Sequence, residues 1–201
     1  HVTIGQRSIY TVVGYHEVYE VLTHPEHYSN KIYESGLGKT FGKTITAMDA
    51  PEHTRYRRLF QTAFTPKMLE GLRQTFQQVI DRLMARFVDR GTADLVQEFA
   101  FHFPFQFIMD LMNMPEQQRP VFHKLAIAQM CVTFDYEHGV EASRMLGNYL
   151  DHIVNERRDN GAADDFVAVL ARTQVEGERL PQDILVSFFR QLMNAGGDTS
   201  Y

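Results

Sequence analysis

The period of hydrophobic and polar positions changes once along this chain. Residues 2–13 hold two short β-branched runs, Val2-Thr-Ile4 and Ile9-Tyr-Thr-Val-Val13, with Gly5-Gln6-Arg7-Ser8 between them. Such runs around turn residues predict a β-hairpin. Residues 15–23 place Val18, Val21 and Leu22 on one helical face, and Pro25 closes that helix. Residues 28–48 carry no period. Gly36, Gly38 and Gly42 are spread among polar residues with isolated Ile32, Tyr33, Leu37 and Phe41, which predicts a long irregular loop. Such a loop is either a solvated surface or a functional segment.

From Asp49 onward the spacing is helical. Asp49 with Glu52 three residues on matches a capping box. Thr65-Pro66 marks a second start, because proline suits the first turn of a helix. Leu69, Leu72, Phe76, Val79, Ile80, Leu83, Phe87 and Val88 then recur at helical intervals up to Gly91. A third helix carries Val96, Phe99, Ala100, Phe103, Phe107, Ile108 and Leu111, and Pro104 is expected to kink or divide it. Further helices are expected at about 116–130, 137–158, 163–173 and 181–201, broken at Asp159-Asn160-Gly161 and Glu176-Gly177. The expectation is a mainly α fold with a small N-terminal β-hairpin. It forms one partial domain: the hairpin and first helix over 1–27, a loop over 28–48, and a helical region over 49–201.

Composition narrows the function classes. The net charge is -5 with both signs interspersed, so no basic tract marks a nucleic-acid surface. A hydrophobic content of 44% suffices for a sizeable core. The single cysteine, Cys131, has no partner for an internal disulfide and suits a reducing compartment. No apolar run reaches the length of a membrane span, and Gly5, Gln6 and Arg7 break the first apolar stretch. The expected location is cytoplasmic, with no membrane partner. The chain opens at His1 in strand-like sequence and stops at Tyr201 without a helix-ending signal, so both ends are expected to be cut.

Two segments carry candidate chemistry. In the last helix, Gly196 and Gly197 follow an apolar face of Ile184, Leu185, Phe188, Phe189, Leu192 and Met193. Each interior glycine costs about 1 kcal/mol relative to alanine, so a pair implies close approach by another group or a local opening of the helix. Asp198 and Thr199 come next, a carboxylate and a hydroxyl suited to relaying protons. Thr199 is also placed to bond back to the Ala195 carbonyl. The alternative is that the helix simply ends here. Earlier, His53 and Arg57 lie four apart on one helical face, with Arg55 and Arg58 nearby. A cationic face suits a carboxylate or phosphate; the alternative is a solvated face paired with nearby acids. His24 and His27 have a spacing that metal sites use, but no third ligand joins them in an evident pattern.

Taken together, Pro51-Glu-His-Thr-Arg-Tyr-Arg-Arg58 continuing to Ala63-Phe-Thr-Pro66, and Ala195-Gly-Gly-Asp-Thr-Ser200, resemble two regions of bacterial cytochromes P-450. These are the helix C region and the oxygen-activation motif of helix I. Ala93-Asp-Leu-Val-Gln-Glu-Phe-Ala100 and Glu176-Gly-Glu-Arg-Leu-Pro181 occur in matching order, so the resemblance spans essentially the whole chain. It implies that His53 and Arg57 contact a haem propionate, and that Ala195 and Gly196 border the oxygen groove. Asp198 and Thr199 would be the acid–alcohol pair delivering protons to bound dioxygen. Ile45, Met48, Phe122, Leu125 and Phe134 become candidate substrate-wall residues.

The resemblance implies a haem-dependent monooxygenase that inserts one oxygen atom from O2 into a small apolar substrate, with haem b as cofactor and a ferredoxin-type electron donor. No metal ligand is expected in this chain. A family member carries its Glu-x-x-Arg pair and axial cysteine after helix I, and Cys131 precedes that helix. The 201-residue piece alone is therefore expected to be inactive. The alternative is a truncated relative acting as a non-catalytic helical binding or oligomerising module.

Overall fold

The computed structural model describes the backbone of residues 2–4 and 7–199, and the side chains of residues 9–197 and Thr199. Strands β1 (Val2–Ile4) and β2 (Arg7–Ile9) pair antiparallel, with Ile4 opposite Arg7. The expected hairpin is present, but Arg7 and Ser8 belong to a strand rather than to the turn. Residues 10–13 are not strand. Gly5 and Gln6, also expected in the turn, lie outside the described residues. Helix α1 (Tyr15–Thr23) forms where expected, yet none of its residues is buried, and Leu22 is 77% exposed.

Residues 28–48 are not an irregular loop. They hold a 3-10 turn (Lys31–Ser35), the short helix α2 (Leu37–Phe41) and a second 3-10 turn (Ile45–Ala47). Pieces of three to five residues are too short to show a helical period, so the sequence pattern conceals them. Helix α3 (Glu52–Gln61) begins three residues after Asp49, but Asp49 does not cap it. The Asp49 carboxylate instead accepts from Ser29 Oγ at 2.5 Å and from the Asn30 backbone N–H at 2.8 Å, which ties the start of this segment to α3.

Helix α4 (Pro66–Met84) starts as expected, with the Thr65 hydroxyl accepting from the Met68 N–H at 3.1 Å. The next predicted helix is divided: a π-helical turn (Val96–Ala100) precedes α5 (Phe103–Leu111), and Pro104 sits in the first turn of α5. A 3-10 turn leads into α6 (Arg119–Met130), followed by α7 (Tyr136–Asp159) and α8 (Phe166–Arg172). Asp165 caps α8 through the Ala168 N–H and also holds Arg157 Nε at 2.5 Å, with both side chains close to buried. At the expected break the chain forms a second hairpin, β3 (Gln174–Val175) and β4 (Glu178–Arg179). Its two connecting residues, Glu176 and Gly177, have φ of 54° and 83°, the left-handed pair that a tight hairpin turn requires.

The last helix, α9 (Gln182–Asp198), runs against α5, α6, α7 and α8. Phe105, Phe122, Leu146, Leu150, Leu170, Leu185 and Phe189 fill the space between these helices, each at 1% exposure or less. Burial of one such side chain contributes about 1.5–3 kcal/mol. No helix among the described residues is long and apolar enough to cross a membrane.

Candidate functional site

The two segments singled out by sequence lie on α3 and α9. Phe60, near the end of α3, stacks on Phe188 of α9 with ring centroids 4.2 Å apart. Phe188, Leu192, Ala195 and Thr199 follow at intervals of four, three and four, so they share one face of α9. The face begins at the Phe60 contact and ends about 16 Å along the axis at Thr199. Its start is packed, whereas Ala195 and Thr199 are exposed.

α9 remains helical through both glycines, so the pair does not open it. Close approach is the reason for them. A Cβ on Gly196 would stand 2.7 Å from Ile108 Cδ1, and one on Gly197 would stand 2.4 Å from Phe105 Cζ. Both contacts come from α5. Thr199 follows the last helical residue, and its Oγ1 donates to the Ala195 carbonyl at 2.6 Å, the back-bond read from their spacing. The hydroxyl hydrogen is thereby committed, and Oγ1 offers its lone pairs as an acceptor. The Asp198 backbone belongs to α9, but its side chain and Ser200 lie outside the described residues.

On α3 the structure separates the four cationic residues into two pairs. Arg55 Nε donates to Glu178 at 2.6 Å, and Arg58 Nη2 donates to Glu176 at 2.8 Å. The β3–β4 hairpin therefore neutralises these two arginines, and Glu178 holds Arg55 above its ordinary pKa by that hydrogen bond. His53 and Arg57 have no side-chain hydrogen bond or ion pair among the described residues. Arg57 is exposed and His53 half-buried. Asp49 lies near His53, but its carboxylate is taken by Ser29 and Asn30, so an imidazole and a guanidinium without side-chain bonds, four apart on one face, can grip a planar carboxylate. Glu176 and Glu178 were not singled out by sequence reading, because their partners lie more than 110 positions away.

Four of the five wall candidates belong to, or pack against, one core cluster; Phe134 is not in it. Met48 is buried and lines a recess of about 350 Å³ with Glu34, Lys39, Gly42 and Thr44. Ile45 and Leu125 are partly buried and pack against the core. Phe122 is a core residue at 1% exposure with its ring against Tyr149, and Phe134 is 94% exposed. Gln191 of α9 reaches Thr46 at 2.7 Å, a link between the Ile45–Ala47 turn and α9 that neither residue's sequence context signals. Cys131 is half-buried, with Sγ 3.8 Å from the Ile127 carbonyl.

The family profile of cytochrome P450 matches residues 1–112. Cytochrome P450 107B1 of Saccharopolyspora erythraea is 30% identical over 165 residues, covering 82% of this chain and 40% of that protein. A methyl-branched lipid omega-hydroxylase of Mycobacterium bovis is 29% identical over 206 residues, covering 95% and 47%. Among solved structures, the bacillaene polyketide synthase cytochrome P450 PksS of Bacillus subtilis superposes with a TM-score of 0.74 at 28% identity, covering 84% and 43%. This chain spans less than half the length of each of these three proteins.

Proposed function

Because this chain belongs to the cytochrome P450 family, we propose that it forms the haem-cradling, oxygen-activating half of a haem-dependent monooxygenase that inserts one oxygen atom from O2 into an apolar organic substrate. The observation that carries this reading is the charge pattern on α3. Four basic residues share two turns, and of these His53 and Arg57 make no hydrogen bond or ion pair with an acid among the described residues; Asp49, the carboxylate near His53, is held by Ser29 and Asn30. Two donors free of side-chain bonds on one face fit a propionate of haem b.

When bound, the haem supplies the iron at which dioxygen is reduced. The residues of this chain hold and orient. His53 and Arg57 would fix the propionate by charge-assisted hydrogen bonds. Ala195 keeps the exposed end of α9 free of bulk, and Gly196 lets the helix approach Ile108. Thr199, its own hydrogen bonded to Ala195, would accept a hydrogen bond from a water in the groove and keep that proton source in place. Asp198 would supply the proton from the adjacent position. Cys131, the half-buried C-cap residue of α6, is not proposed as a haem ligand. Electrons would come from a ferredoxin-type donor. The lipid hydroxylase among the relatives supports an apolar substrate.

Haem retention tests the reading directly. In the intact protein, Arg57→Gln and His53→Gln should each weaken haem retention, by roughly tenfold for loss of one charge-assisted hydrogen bond. Arg58→Gln, which only frees Glu176, should retain haem as the parent does. Equal retention by all three variants would remove α3 from the haem site.

A further inference from the structure

A second cationic site lies away from the α3–α9 groove. A recess of about 340 Å³ opens between the end of α4, the start of α5 and the start of α6. Arg82 faces it from the last turn of α4 and Arg86 from just beyond that helix, His102 from the N-cap of α5, Glu116 from the 3-10 turn, and Arg119 and His123 from α6. Asp110 of α5 supports it from behind, its side chain 14% exposed. That single carboxylate serves two guanidiniums, accepting from Arg82 at 2.5 Å and from Arg119. Arg86 has no ion pair among the described residues. With both histidines neutral, three arginines face Glu116 and Asp110, a net charge of +1. In addition, His123 Nε2 is buried with no hydrogen-bond partner. Buried polar atoms rarely go unpaired, so each such case calls for an explanation.

From this arrangement we infer that the recess binds a small multivalent oxyanion: a phosphate, either free or carried by a small metabolite. Guanidiniums reach the recess from the C-terminal end of α4 and from α6, and imidazoles from the start of α5 and from α6, so the donors surround a bound group rather than lying on one face as a planar carboxylate would need. A dianion also has charge enough to share Arg82 and Arg119 with Asp110 while taking Arg86 for itself. The inference does not depend on the haem reading.

The bound anion should also draw protons. His102 and His123 are both held below the ordinary imidazole pKa. Burial is the main cause for each; Arg86 adds to it at His102, and His102 adds to it at His123. An anion beside them opposes these effects, so binding should strengthen as pH falls and should take up protons.

Calorimetric titration of the intact protein tests this. Sulfate is the probe for pH dependence because it stays dianionic from about pH 6 to pH 8, whereas phosphate titrates there itself. Sulfate and inorganic phosphate should both bind, with sulfate tighter at the lower pH. Arg86→Gln should weaken both by at least about fivefold, the loss of one charge-assisted contact. Arg73→Gln, on α4 but outside the recess, should match the parent. Ribose 5-phosphate binding tighter than inorganic phosphate would support a phosphometabolite, and equal binding would support a free oxyanion. No measurable binding of any of these anions at tens of millimolar, or equal affinities for the Arg86 and Arg73 variants, would overturn the site.

Discussion

Gly197→Ala and Gly71→Ala are the same chemical change in two helices and should have different outcomes. Gly71 lies on the exposed side of α4, and a Cβ there would meet nothing within 4 Å. Alanine at 71 should therefore stabilise by about 0.5–1 kcal/mol, the helix-propensity gain. Alanine at 197 gains the same propensity, but its Cβ would stand 2.4 Å from Phe105 Cζ and 2.7 Å from Cε1. The Phe105 ring is rigid and only 1% exposed, so it has little room to move. Overpacking of this kind costs about 1–3 kcal/mol. The propensity term cancels between the two variants, so Gly197→Ala should be less stable than Gly71→Ala by about 1–3 kcal/mol. Urea unfolding measures this as a difference in midpoint at unchanged slope. In a Phe105→Leu background the clash is removed, and the two alanines should converge; a double-mutant cycle isolates the term. If Gly197→Ala stabilises as much as Gly71→Ala in the parent, close approach to α5 is not why α9 carries two glycines.

Other consequences follow from the same contacts. Asp165→Ala removes both the α8 cap and the Arg157 partner, and should cost about 3 kcal/mol in urea unfolding; Asp165→Asn, which keeps a capping oxygen, should cost less. Because His102 and His123 have folded pKa values below that of the unfolded chain, the unfolded state binds more protons as pH falls through about 6.5. Stability from these groups is therefore intact above neutral pH and lost on the acid side. The urea midpoint should decline from about pH 7 to pH 5.5, and a His102→Asn/His123→Asn variant should flatten that decline. If the proposed monooxygenase reading holds, Thr199→Ala in the intact protein should raise peroxide release relative to product, as the acceptor at the end of α9 is lost, while Thr199→Ser should behave like the parent; equal peroxide-to-product ratios in both variants would dismiss Thr199 from proton handling.

The sequence was most legible where structure is decided locally. Thr65-Pro66 announced α4 because cap and first turn are made by neighbouring residues. Pro104 divided its helix because its ring and missing N–H act on the preceding turn. Asp49 misled because a distant competitor won: Ser29 and the Asn30 N–H claim the carboxylate expected to cap α3. The β3–β4 hairpin escaped notice because two-residue strands have no alternation to detect. In the candidate site, the glycine pair signalled close approach, but no local pattern names Phe105 and Ile108 as the approaching residues. The cationic face of α3 was visible as four residues. Its division into a paired and an unpaired half was not, because the deciding acids lie on a hairpin far along the chain.

The central claim is that this chain builds the oxygen-activating side of a thiolate-ligated haem site. The most direct measurement is the carbon monoxide difference spectrum of the reduced, intact protein, with the 201-residue chain measured alongside. The intact protein should give the red-shifted band of a thiolate-ligated haem, and the 201-residue chain, whose one cysteine is the C-cap of α6, should not. A reduced complex of the intact protein without that band would contradict the account, as would thiolate-ligated haem in the 201-residue chain alone.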